Sequence, residues 1–216
     1  RNVYNDVKGQ EKKLKERVGV TQAQINALRD DVYALAKIGV TVEDAVKFGE
    51  LVATRAGIRP TFLIALLEVE SRMGLSVGTG NWKKDMNPNQ FTAFEQIAAK
   101  LHLDPDILPV SKQPSYGWGG AMGPAQFLPK TWLGYEAEII RLTGHNPPSP
   151  WNVEDSFMAA ALKLGNDGAR AQTRDGELRA AKKYISGSAT CTKSICTYYS
   201  NLVLDKADDI EKKLTN

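Results

Sequence analysis

Apolar positions recur every three to four residues in segment after segment of this chain, the period of a helix and not of a strand. Val3–Arg17 is polar with sparse apolar positions and reads as a helix or the end of a coiled coil. Thr21 with Gln24 forms a capping box, and Ile25, Leu28, Val32 and Leu35 then mark one face of a helix through Lys37, stopped by Gly39. A helix from Thr41 or Val42 to about Ala56 carries Glu43 and Asp44 in its first turn, where the macrodipole favours acids. Gly57 ends it, and Pro60 suits the first position of a helix reaching Met73. Further helices are predicted over Thr92–Leu103, Pro129–Thr143, Asn152–Gly165 (capped by Asn152), Asp175–Ile185 (capped by Asp175) and Thr197–Leu214. Residues 74–91 and 104–120 follow neither period and are rich in turn formers. Irregular stretches of this length in a compact domain are usually functional or disordered. With no comparable strand pattern and no repeat, the fold class is mainly α.

The segment Pro60–Gly74 is apolar almost all round, so its helix should be buried. Glu70 falls on its apolar stripe, four residues after Leu66 and seven after Leu63. A carboxylate there is costly unless it is paired, open to a cleft or kept neutral. Burial raises a carboxyl pKa, as a general acid working near neutral pH requires. The bland alternative is an ion pair between Glu70 and an arginine. Glu68, two residues away, points to roughly the opposite face, so only one of the two can serve a given cleft.

A second segment, Tyr116–Pro129, is Gly-rich. Glycines let backbone approach a ligand closely. Gln126 offers an amide donor and an acceptor, which suits a sugar, and Trp118 offers a flat apolar face. The competing view is a tight turn packed on the core, with Gln126 satisfying backbone groups. Trp82 stands between sugar stacking and plain packing, as does Trp118. Trp132 and Trp151 read as core. Asp85 is the loop acid that could act as a second carboxylate.

The chain has 216 residues, which suggests one domain plus an appendage or two small domains. At 42 % hydrophobic and 25 % charged it has the makings of an ordinary core, which excludes fibrous and disordered classes. Its apolar runs are too short to span a membrane. A net charge of +3 does not point to nucleic acid, and the lysines near both ends alternate with acids as on solvated helix faces. Two distant histidines, His102 and His145, and two cysteines argue against a zinc site. No metal and no cofactor is expected. Cys191 and Cys196 are either two ordinary thiols or a local disulfide, the latter implying an oxidising compartment. The chain begins at Arg1 without a leader, as a mature or shortened protein would, which leaves room for a removed export signal and for a membrane or envelope tether upstream.

Taken in order, Glu70-Ser71 on a helix followed by Gly120-Ala121-Met122-Gly123-x-x-Gln126-Phe127-x-Pro129 resembles the lytic transglycosylases of peptidoglycan metabolism. The nearest likeness is to the type called membrane-bound lytic transglycosylase B. Trp151-Asn152-Val153-Glu154-Asp155 and Ala181-Lys182-Lys183-Tyr184 are similar to later, weaker motifs of that family. The resemblance covers about residues 45–214. It implies a lysozyme-like domain over 45–216, preceded by a helical appendage over 1–44 that is a tether, a cover or a coiled-coil end. It implies that Glu70 alone acts as acid and base on the MurNAc–GlcNAc β-1,4 bond and leaves a 1,6-anhydro sugar. Ser71, Gln126 and Tyr184 would be cleft residues, with Met122 and Gly123 lining the loop that faces the sugar. Trp82, Tyr116 and Trp118 complete the expected substrate contacts. The enzyme would be a monomer in the cell envelope, periplasmic or extracellular, with the glycan strand as partner and no nucleic acid. The cysteines then fit a disulfide in an exported protein.

Three positions depart from the family pattern. A serine expected nine residues before Gln126 falls on Gly117, leaving Ser115 and Tyr116 as the nearest substitutes. A family tyrosine falls on Lys163, and an asparagine on Ile185. The carboxylate-free Leu142–Pro150 loop lacks the calcium ligands of some members, so no Ca²⁺ is expected there. Two alternatives stand beside the leading expectation: a hydrolytic muramidase using water, with Asp85 as its candidate second carboxylate, and an inactive glycan-binding domain.

Overall fold

The computed structural model describes residues 42–71, 78–115 and 117–215, all within one compact unit, residues 36–216. The expectations for Val3–Arg17, Thr21–Lys37, the 1–44 appendage and Tyr116 lie outside the described residues. The elements are α1 (Val42–Ala56), α2 (Pro60–Ser71), the short α3 (Trp82–Asp85), α4 (Phe91–Lys100), α5 (Pro129–Thr143), α6 (Val153–Asn166), α7 (Arg174–Ser186) and α8 (Ser194–Thr215). Three single 3₁₀ turns join them, and isolated bridges stand where a sheet would. The fold is mainly α, and none of its helices is long and apolar enough to cross a membrane among the described residues.

Two helices are buried nearly all round, and the core forms on them. In α2, Thr61 through Leu67 are all buried. In α6, Asp155 through Leu162 are buried, as are Leu164 and Gly165. The run Ala159-Ala160-Ala161 gives α6 a slim surface against which α1, α2 and α5 pack. Packing of an apolar face, more than helix propensity, stabilises such short helices. The longest contact is α2 along α8. Arg59, just before α2, fixes that pairing: its guanidinium binds both carboxylate oxygens of buried Glu177 on α7, at 2.9 and 2.7 Å, and reaches Asp208 and Glu211 on α8. A bidentate Arg–carboxylate pair adds geometric specificity as well as energy.

Helix ends differ from expectation in physically informative ways. Thr173, not Asp175, caps α7, accepting from Gly176 N, while Asp175 and Glu177 occupy the first turn. α8 begins three residues before Thr197: Cys196 N and Thr197 N both donate to Lys193 O, so the second cysteine lies inside the first helical turn. Cys191 and Cys196 are disulfide-bonded, with Cα atoms 6.1 Å apart. α4 stops at Lys100, where His102 adopts positive φ and Leu103 N reaches back to Ala98 O.

The irregular segments are knitted to one another by backbone. Gly80 bridges Val110, Val110 bridges Met122, Met122 bridges Phe127, and Met86 bridges Gly119. Asp85 is the staple. Its Oδ2 accepts from Asn81 N at 2.6 Å, its Oδ1 from Gln113 N at 3.0 Å, and its carbonyl from Gly119 N at 2.8 Å. Those backbone N–H groups hold its carboxyl below the usual carboxylate range.

Candidate active site

Glu70 lies in the last turn of α2, where the burial of the helix gives way to partial exposure. Protein still crowds the carboxyl, and desolvation pushes its pKa from 4.5 up to about 7. A single hydrogen bond opposes that shift: the Tyr199 hydroxyl on α8 donates to Glu70 Oε1. The partner is thus a neutral phenol, not the arginine of the bland alternative. Tyr199 is itself buried, and the neighbouring Glu70 charge helps hold its hydroxyl neutral. Glu68 turns outward and pairs with Lys206 on α8 at 2.6 Å. The two glutamates therefore separate as their spacing implies: one covered by protein beside Tyr199, one on the surface.

Tyr184 on α7 joins this pocket to the Gly-rich segment. Burial raises its hydroxyl well above the ordinary value, with the charge of Glu70 as the next cause. The same hydroxyl donates to the Ala125 carbonyl at 2.6 Å. Ala125 N in turn donates to Ser156 Oγ on α6 at 3.0 Å, so both backbone groups of Ala125 are held. Gln126, in left-handed backbone conformation, folds back so that its Nε2 donates to Gly123 O at 2.8 Å. Phe127 plugs the turn into a set of edge-to-face aromatic contacts with Trp132, Tyr135 and Tyr184.

Several residues expected to touch a sugar are packed into the protein. Trp82 is only 4 % exposed, seated against Phe91 and Phe94, with its indole N–H donating to Asp106 at 2.8 Å. Met122 is fully buried. Gly123 is packed against backbone: a Cβ on it would stand 1.7 Å from the Pro150 carbonyl oxygen. The Gly-rich run thus lets backbone approach backbone. Ser71 is buried at the end of α2, its hydroxyl directed to Leu67 O of its own helix at 3.4 Å. Trp118 differs from Trp82: it is 51 % exposed, next to the Gly119 bridge. Trp132 and Trp151 are core, as expected. Among the described residues no three His, Cys, Asp or Glu side chains gather as a metal site would.

Sequence reasoning missed Tyr199. A signal existed: Cys196, Tyr199, Ser200, Val203, Leu204 and Ala207 form one buried stripe at helical spacing, which turns Tyr199 inward and Tyr198 outward. It missed also that Lys163, where a tyrosine was expected, places its ammonium over the Tyr184 ring, 5.1 Å from the centroid.

No protein-family model matches this sequence, and no curated protein matches it. Solved structures similar to it include the Escherichia coli lytic transglycosylase Slt35 in complex with bulgecin A: 21 % identity, 68 % of this chain and 54 % of that one, TM-score 0.43. A second is a 36 kDa muramidase/transglycosylase at 21 % identity, covering 67 % of this chain and 53 % of that one, TM-score 0.46. The third is Escherichia coli Slt35 with calcium, at 22 % identity, 68 % and 53 % coverage, and TM-score 0.44. The chain spans about half the length of these structures.

Proposed function

We propose that this chain is a peptidoglycan lytic transglycosylase that cuts the MurNAc–GlcNAc β-1,4 bond with Glu70 as its one acid and base. The observation that carries the reading is the Glu70 carboxyl, whose burial pushes its pKa up to about 7. At that value it keeps its proton through much of the neutral range and can give it to the leaving glycosidic oxygen. The resulting carboxylate then takes the proton of the MurNAc C6 hydroxyl as that oxygen closes on C1, which forms the 1,6-anhydro ring and restores the acid. The 2-acetamido group assists at C1, so no carboxylate nucleophile is needed, unlike the usual two-carboxylate glycosidase. Tyr199 holds Glu70 in place by its hydrogen bond. The exposed face of Trp118 is the candidate platform for a sugar ring.

The hydrolytic alternative would need a second carboxylate or a positioned water. Against Asp85 in that role stands the engagement of both its oxygens by backbone N–H groups. The disulfide supports action in an oxidising compartment such as the cell envelope. Digesting purified sacculi and weighing the terminal muropeptides tests the reading. Products lighter by one water than reducing-end sugars are expected. Reducing-end products alone would mean hydrolysis, and an inert protein that still sediments with sacculi would mean a binding domain.

A further inference from the structure

Lys163 is a cation in the part of the fold where the proposed chemistry lies, and neither the acid mechanism nor the core uses it. Its side chain is mostly covered, and its ammonium makes two engagements. It binds Asp167 Oδ2 at 2.6 Å, one helical turn along, and lies over the Tyr184 ring. Asp167 is buried and takes a second lysine, Lys183 of α7, on its other oxygen at 2.6 Å. An ammonium over an aromatic ring is attracted by the ring's negative face, more strongly where water is excluded. Here that attraction acts on the ring whose hydroxyl clamps the Ala125 carbonyl. Asp167 thus fixes Lys163, Lys163 seats Tyr184, and Tyr184 ties the Gly123–Phe127 turn to the pocket of Glu70.

We propose that Lys163 is a positioning residue for glycan binding, acting through the Tyr184 ring to hold the turn that carries Gln126 beside the Glu70 pocket. This rests on the glycan-cleaving reading above. Lys163 touches no reacting atom, so its effect falls on how well the strand is held and not on the proton transfer. The fold has a safeguard that makes the idea testable: without Lys163 the buried Asp167 keeps Lys183, so removing the ammonium does not strand a buried charge.

The experiment compares wild type, Lys163→Met, Lys163→Arg, Tyr184→Phe and the double variant Lys163→Met/Tyr184→Phe on soluble, uncrosslinked glycan strands. Lys163→Met keeps the stem and loses the charge. It should raise KM roughly threefold to tenfold, the range of a partly covered cation–ring contact. Its kcat should stay within about twofold and its pH profile should not shift, because the Glu70 proton is not involved. Lys163→Arg, which can both stack and pair, should restore KM. In the Tyr184→Phe background, where the clamp is already gone, Lys163→Met should add little. A KM unchanged in Lys163→Met overturns the proposal, as does a loss that Arg fails to rescue or that adds in full to Tyr184→Phe. A wild type inert on sacculi overturns the glycan reading and this proposal together. An active wild type with an indifferent Lys163→Met overturns this proposal alone.

Discussion

In α2 the proposed acid, Glu70, lies on a helix that the rest of the molecule buries. In the segment from Gly78 to Phe127 the residues of chemical promise are themselves the packing. α2 supplies Phe62, Leu63, Leu66 and Leu67 to the core and leaves Glu70 at its last turn, in a pocket that works against its charge. The loop spends Trp82, Met122, Gly123 and Asp85 on holding itself together and presents Trp118 outward. A polar group on a buried helix has few structural uses, so its presence is informative. Glycines, aromatics and amides in a long loop have many, because a loop without a ladder must find partners for every backbone group.

Replacing Glu70 should produce the largest effect. Glu70→Gln keeps the shape and removes the transferable proton, so cleavage of sacculi should fall by about 10²–10⁴, the usual worth of a general acid. The same change should help the fold. Folded Glu70 titrates at about 7 against an ordinary value of 4.5. Between these values the unfolded chain has lost the proton and the folded chain has kept it. Stability therefore falls as pH rises through that window and levels off above it, about 3 kcal/mol lower. Urea unfolding at pH 8 should show Glu70→Gln more stable than wild type, with the two converging near pH 4. A variant that is fully active, or no more stable at pH 8, would remove α2 from the chemical side of the comparison.

Gly123→Ala probes the other side. The residue has φ of +63°, and the added methyl would collide with the Pro150 carbonyl oxygen. Left-handed backbone and forced repacking together should cost roughly 2–4 kcal/mol, read as a lower urea midpoint. Were stability intact and cleavage lost, Gly123 would be shaping a ligand site after all, and the contrast between the two regions would collapse.

How much of this was written in the chain follows the same division. The longer helices from Val42 onward, the burial of α2 and the opposed faces of Glu68 and Glu70 followed from period and spacing, because one repeating geometry fixes which side chains share a face, whereas the short α3 and the start of α8 did not. The pocket around Glu70 was legible as a cost in the sequence, though the group that answers it was not. Tyr199 arrives from α8, 129 residues away in the chain, and only the packing of two helices brings it to Glu70. The loop was least legible. Its register rests on single bridges such as Gly80 to Val110 and on Asp85 reaching Gln113, contacts with no period to betray them. Trp82 and Trp118 were indistinguishable by composition, and the neighbouring Asp106 and Phe94 decide that Trp82 goes in.

Tyr199→Phe would sharpen the account of the buried side. The lost hydrogen bond is the one influence opposing the burial of Glu70, so the carboxyl should titrate higher still. A general acid that holds its proton longer stays competent at higher pH. The alkaline limb of kcat/KM should therefore shift upward, while the rate near pH 6 falls only by the looser placement of the acid. A shift to lower pH would mean that Tyr199 stabilises the protonated form instead, and that burial is not the dominant influence on Glu70.

The smallest expected effect belongs to Trp118, and it tests whether the loop gives the substrate anything at all. At 51 % exposed the ring contributes little to the core, so Trp118→Ala should leave the urea midpoint nearly unchanged. If a sugar stacks on it, the loss is about 1 kcal/mol of binding, close to fivefold in KM, with kcat preserved. A KM equal to wild type would confine the loop's role to shaping the fold. A large drop in stability would place Trp118 with Trp82 as a packing residue, beside Gln126, whose amide is turned back on Gly123.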